Sequence, residues 1–132
     1  MEDETKKPGK RRATGFWAED LVAKKLESSG YEILDRNFYC PGGELDLVAM
    51  QGETLCFIEV RFRSDVDAGE PLETVRGVKQ RRLLHAARLY LSSHPRFDPM
   101  RQIIRFDVVS VVGKKSPRVE IVTDAFGSSE AW

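Results

Sequence analysis

Cysteine and histidine are scarce: Cys40 and Cys56, His85 and His94 are all that 132 residues contain. Their spacing fits no zinc-ligand pattern. With no apolar segment ahead of Gly15, two thiols predict a cytoplasmic setting with free cysteines rather than a disulfide framework. Long apolar runs are also missing, so no segment is expected to span a membrane. An excess of one charge is missing as well. Lys+Arg and Asp+Glu are both 21, giving a formal net charge of zero. That total does not indicate a strongly basic nucleic-acid binder. Internal repeats and low-complexity stretches are absent. What remains suits one domain, with 41% hydrophobic residues to fill a core and 32% charged residues around it.

The charges are segregated even though they cancel. Lys6 to Arg12 is basic, and Arg76 to Arg88 carries Arg76, Lys79, Arg81, Arg82 and Arg88 without an acid. Such segregation allows a local anionic partner. Residues 1–13 are polar and read as a disordered basic arm, most simply a solubilising tail. The folded domain is expected over 14–126, with 127–132 as a C-terminal tail and Phe126 as its docking residue. Thr14 would cap a helix running to about Ser29 and closed by Gly30. Ile33, Leu34, Phe38 and Tyr39 predict a strand, and Pro41, Gly42 and Gly43 a turn. Ser64 to Pro71 reads as a polar loop. A second helix starts at Glu73 or Thr74 and reaches Leu91, with His94 and Pro95 ending it. Ile103–Val112 is apolar at nearly every position and predicts a strand covered on both faces. A shorter strand follows at Arg118–Val122. Helix, three strands, helix, two strands is the order of an α/β fold, a mixed sheet flanked by helices.

Two strands, Gly43–Met50 and Glu53–Arg63, flank a turn at Gln51 and Gly52, a hairpin signal. A two-residue loop there pairs Val48 with Leu55 and Asp46 with Phe57. Alternation then puts Glu44, Asp46, Glu59 and Arg61 on one side of the sheet, with Asp46 diagonal to Glu59. Three carboxylates on one face repel one another unless a cation sits among them, which is the outline of a Mg²⁺ or Mn²⁺ site. A solvated sheet face gives the same pattern, and spacing alone does not separate the two. Val48, Leu55 and Phe57 make the far end of that face apolar, as at the rim of a core. Cys56, between Leu55 and Phe57, reads as core packing.

Two helix residues extend the pattern. Glu19 shares a face with Val22, Ala23 and Leu26, so it either edges the apolar stripe or leans over the acidic face. Asp20 has a plainer reading, an ion pair with Lys24 one turn on. Lys79 shares a face with Leu83, Ala86 and Tyr90 and points either inward or to solvent.

Together these residues resemble a known family. Gly15-Phe16-Trp17-Ala18-Glu19, Gly43-Glu44-Leu45-Asp46-Leu47-Val48, Phe57-Ile58-Glu59-Val60-Arg61-Phe62-Arg63, Lys79-x-x-Arg82 and Arg105-Phe106-Asp107-Val108-Val109 look like the YraN-like family of bacterial proteins expected to be endonucleases. So does Leu26-x-x-x-Gly30-Tyr31-x-Ile33-Leu34-x-x-Asn37. The likeness runs from about Gly15 to Phe126. It implies the restriction-endonuclease-like superfamily and similarity to archaeal Holliday-junction resolvases. The superfamily site is an Asp, then Glu-x-Lys on the next strand, often with a Glu from the first helix. Carried over, Asp46, Glu59 and the Val60 carbonyl become ligands of Mg²⁺ or Mn²⁺, and Glu19 becomes the helix acid. Arg61 stands where the family usually has Lys. Arginine stays charged and does not serve as a base, but it binds a phosphate oxygen bidentately. Lys79 is the residue that would supply the missing amine.

The resemblance implies metal-dependent hydrolysis of DNA phosphodiesters, with structured or branched DNA as substrate. Glu19, Asp46, Glu59, Arg61 and Lys79 form the expected catalytic set, and Arg63, Arg76 and Arg82 the expected phosphate contacts. A homodimer is plausible by analogy with the resolvases. Two other readings stay open. One is a nucleic-acid-binding module with a weak or inactive nuclease site, and the other is a structural adaptor with a vestigial one.

Overall fold

A computed structural model describes residues 9–63 and 77–126 of the chain. The elements are helix α1 (Gly9–Ser28), strands β1 (Glu32–Cys40), β2 (Gly43–Gln51) and β3 (Thr54–Arg63), helix α2 (Gly77–Ser93), and strands β4 (Ile103–Val112) and β5 (Arg118–Phe126). The five strands form one sheet in sequence order. All neighbours are antiparallel except β3 and β4, which run parallel. A parallel pair needs a crossover, and α2 provides it. The fold is α/β, a mixed sheet with helices packed on it.

Each helix seals one face. Ala18, Val22 and Leu26 of α1 pack on Leu47, Ala49, Cys56, Ile58, Val109 and Val111. On the other side, Leu83, Ala86, Ala87 and Tyr90 of α2 pack on Val48, Leu55, Phe57, Phe106 and Val108. This is why β4 reads as an unbroken apolar run: its neighbouring residues face different helices. Cys56 is buried and unbridged, and burial with Asp107 nearby pushes its thiol up to about 11. Gly30 closes α1 with φ of +94°, while Tyr31 N–H reaches back to the Leu26 carbonyl at 3.0 Å.

Several boundaries differ from expectation. Helix α1 begins at Gly9, five residues before Thr14. Lys10, Arg11, Arg12 and Ala13 are good helix formers, and that preference outweighs their polarity. The remainder of the expected arm, the 64–71 loop, the start of the second helix, Arg76 and the tail lie outside the described residues. Strand β5 runs to Phe126, bending at Asp124 with φ of +54°. Asp20 pairs with Arg36 at 2.6 Å rather than with Lys24. Arg36 lies across from α1 on the edge strand and offers a better-placed cation than a helix neighbour.

The β2–β3 hairpin is shifted from the expected register. Gln51 pairs with Thr54 and Val48 with Phe57, so the loop is Gly52 and Glu53. Gly52 has φ of +61°, and the turn uses its glycine at the first central position, not the second. Every pair moves by this shift. Phe57 pairs with Val48 and the ladder stops at Leu47 and Ile58, so the expected pairing of Asp46 with Phe57 does not form.

Candidate functional site

The β2–β3 ladder ends at Leu47 and Ile58. Beyond that point the Asp46 carboxylate takes over, accepting the Val60 N–H through Oδ2 at 2.8 Å. The strand twists here. Leu45 packs on the α2 side and Leu47 on the α1 side, so the period-two alternation breaks at Asp46. The cause lies on the next strand. Arg36 pairs with Leu47 and Phe38 with Leu45, which places Asn37 across from Asp46, and Asn37 has φ of +56°. Asparagine is among the few side chains that tolerate the left-handed region, and an irregularity of this sort re-aims a side chain. Asn37 closes one of the motifs quoted from the sequence, but its left-handed backbone was not foreseen there. Its available signal was an Asn between Arg36 and Phe38 in an otherwise strand-like run.

Three buried acids lie in the neighbourhood of this kink. Asp46 is 6% exposed, Glu59 5% and Glu19 6%. Burial pushes the Asp46 carboxyl well above its ordinary range, and the charge of Glu59 adds to the rise. Glu19 from α1 and Glu44 from the start of β2 act in the same direction more weakly, while the Val60 N–H opposes them. Glu19 therefore sits over the acidic residues rather than at the outer edge of the stripe, beside buried Val22, Ala23 and Leu26. Lys79 reaches in from the first turn of α2. Its Nζ lies 2.6 Å from Glu59 Oε2 while half of the side chain stays exposed. Thus the inward and the solvated readings of Lys79 each hold for part of the side chain.

The other expected residues fall in different places. Arg61 is half-buried on β3, two residues beyond Glu59. Arg82 is exposed on α2. Arg63 is only 6% exposed and bonds Glu120 of β5 at 3.1 Å. It ties strands together instead of reaching outward to a phosphate. Arg105 and Asp107 form a two-bond ion pair at 2.9 Å each, joined by Tyr31 Oη and by the N–H of Asp124. That network secures the bend in β5 to the start of β1.

Close approach of backbones fixes α2 relative to the acids. Gly43, at the start of β2, lies against the Arg82 carbonyl, and a Cβ at that position would collide with it. The preceding turn is held by His85 Nε2, 3.0 Å from the Pro41 carbonyl. The turn therefore sets how closely α2 brings Lys79 to Glu59.

Among the described residues, no three His, Cys, Asp or Glu side chains come together as a complete metal-holding group. Two carboxylates with a backbone carbonyl between their strands are the most this cluster offers, and water would complete any coordination shell. Hard oxygen donors of this kind suit Mg²⁺ or Mn²⁺. No helix of the described residues is long and apolar enough to cross a membrane.

Residues 18–111 match the family described as Uncharacterised protein family UPF0102. That stretch begins just before Glu19 and includes Asn37, Asp46, Glu59, Arg61, Lys79 and the Arg105–Asp107 pair. A UPF0102 protein of Myxococcus xanthus is 43% identical over 107 residues, covering 81% of this chain and 82% of its own length. One from Moorella thermoacetica is 44% identical over 119 residues, covering 88% and 97%. Another, from Syntrophomonas wolfei, is 46% identical over 101 residues, covering 76% and 85%. With the acids, their kinked strand, the second half of α1 and all of α2 inside the shared stretch, the chain belongs to the UPF0102 family.

Proposed function

We propose that the protein is a metal-dependent endonuclease that hydrolyses DNA phosphodiesters, with structured or branched DNA as its substrate. The observation that carries this reading is the burial of Asp46 beside Glu59 at the point where β2 and β3 part, with Lys79 bonded to Glu59. Buried carboxylates this close are costly without a cation, and such cost is characteristic of functional sites. Asp46, Glu59 and the Val60 carbonyl would hold Mg²⁺ or Mn²⁺, and Glu19 borders the same space. Bound there, the ion supplies an activated water and offsets charge on the phosphoryl group.

The chain's own cations do the rest. Arg61 shares the Glu59 side of β3 and is suited to grip a phosphate oxygen with two parallel bonds. Lys79 holds Glu59 in place and brings positive charge towards the negative charge that builds on the phosphoryl oxygens. Arg82 lies one turn further along α2 and contributes to backbone positioning. The likeness to the restriction-endonuclease-like superfamily supports these assignments. Arg61 in place of the usual lysine favours a second reading, a DNA-binding module that cleaves poorly, because arginine stays protonated and does not act as a base.

The two readings separate in one experiment. Wild type, Asp46→Asn and Arg61→Lys are incubated in enzyme excess with Mn²⁺ or Mg²⁺ and linear, flapped and four-way DNA. Mn²⁺ binding is followed by calorimetry. The nuclease reading expects metal binding that Asp46→Asn loses, and cleavage that Arg61→Lys increases. Equal Mn²⁺ binding by wild type and Asp46→Asn rules out the metal assignment. DNA binding without cleavage by any of the three hands the function to the binding module.

A further inference from the structure

Large apolar side chains seldom lie open beside a cluster of buried charge, yet α1 presents two. Phe16 and Trp17 are each 38% exposed, directly before buried Ala18 and Glu19. The Trp17 ring meets the Phe62 ring edge to face, with centroids 5.7 Å apart. Phe62 lies three residues beyond Glu59 on β3, about 10 Å along the strand. On the α1 side of the sheet, Phe62 pairs with Val111, and Val111 with Val119. This row leads from the aromatic pair towards the turn between β4 and β5. That turn is basic: Lys114, Lys115 and Arg118 are all exposed, and Arg118 also bonds Glu120 at 3.4 Å. Gly113 N–H bonds the Arg63 carbonyl at 2.9 Å, which holds the turn at the same end of the sheet as Phe62 and Arg61.

An exposed ring at the same end of a sheet as lysines is what an unpaired nucleotide recognises. Every base has a face that stacks on an aromatic ring, and each linking phosphate needs a cation. A duplex buries its base faces and gains nothing from rings. We infer that Trp17 and Phe62, with Lys114 and Lys115, form a subsite for single-stranded DNA alongside the acidic centre. Its place next to the scissile position rests on the nuclease reading, whereas the stacking and charge do not. Trp17 receives a base, Phe62 braces the Trp17 ring from its edge, and the lysines follow the strand's phosphates. The subsite selects substrates with an unpaired stretch, such as a flap or a fork, over plain duplex.

Binding is measured on the full chain in EDTA, so that no cleavage is required. The probes are a 5′-labelled oligothymidine and a duplex of equal length. Oligothymidine is expected to quench tryptophan emission, and the quench should vanish in Trp17→Phe but persist in Trp132→Phe. Trp17→Ala should weaken single-strand binding roughly tenfold and leave duplex binding within about twofold. Because Trp17→Ala also removes packing against Phe62, the exposed-turn variant Lys114→Ala/Lys115→Ala gives an independent arm. It should lower single-strand affinity and reduce the salt slope by about 1.4. Quenching that survives in Trp17→Phe, equal losses for both probes in a folded Trp17→Ala, or an unchanged salt slope in the lysine variant overturns the subsite. Single-strand binding that depends on Trp17, with no cleavage under any metal, keeps the subsite and removes the nuclease reading. Cleavage indifferent to Trp17 does the reverse.

Discussion

Asp46 carries a charge that its surroundings resist. Burial and the neighbouring acids raise its pKa well above the ordinary 3.8. Below that ordinary value, folded and unfolded chains both hold the proton, and the site costs no stability. As pH rises, the unfolded chain releases its proton first, so stability falls until the higher folded pKa has been passed. Asparagine keeps an acceptor for the Val60 N–H and carries no charge. Asp46→Asn is therefore expected to be more stable than wild type at pH 7 by about 1 kcal/mol, a trade of function for stability. The difference should shrink as pH falls towards 3.8. Urea unfolding at pH 7 and pH 4, with an unchanged m-value, measures it. Mn²⁺ should then stabilise only the wild type, through binding to the native state alone. A less stable Asp46→Asn at pH 7 would mean that the carboxylate has compensation beyond the Val60 N–H.

At the scale of elements, the acids were legible but their arrangement was not. Asp46 and Glu59 do influence each other, although the alternation used to group them fails at Asp46, and of the two placements open for Glu19 the buried one is found. The hairpin register was missed because Gly52 occupies the first turn position, a choice that the residue pair alone does not reveal. The kink at Asn37 was missed because a left-handed residue inside a strand leaves little trace in an alternating pattern. Arg63 looked like a phosphate contact because its partner, Glu120, lies 57 positions away. Gly43 was read as part of a turn, yet its lack of a side chain serves the approach of α2 to β2. Gly43→Ala is expected to cost about 2 kcal/mol, since overpacking against backbone leaves little room for relief. Gly30 has open space around it, so Gly30→Ala should cost only about 1 kcal/mol for its backbone angle. Thermal unfolding of the two variants checks the order. Gly43→Ala should also weaken Mn²⁺ binding, because moving α2 moves Lys79 off Glu59, whereas Gly30→Ala should leave it unchanged.

Across the whole molecule, a net charge of zero hides an uneven surface. Helix α2 contains no acid, and Arg81 and Arg82 are exposed on it. The aromatic pair lies on the α1 side of the sheet, and the lysines of the β4–β5 turn lie at the same end of the sheet. The acids sit at the rim between these two faces. One face thus suits the phosphates of a duplex, and the other suits an unpaired strand. A forked DNA, duplex on one arm and single-stranded on the other, would engage both at once. Linked sites raise affinity without new contacts, so a fork is expected to bind at least about tenfold tighter than either arm alone. Arg81→Ala/Arg82→Ala should reduce the duplex salt slope by about 1.8 and leave oligothymidine binding untouched. Trp17→Ala should do the opposite, and the triple variant should lose the fork's advantage over both simple probes. Fluorescence anisotropy in EDTA at several salt concentrations decides this. Should the fork bind no tighter than the better of its two arms, the faces do not act together. Branched DNA would then have no claim over plain duplex as the substrate.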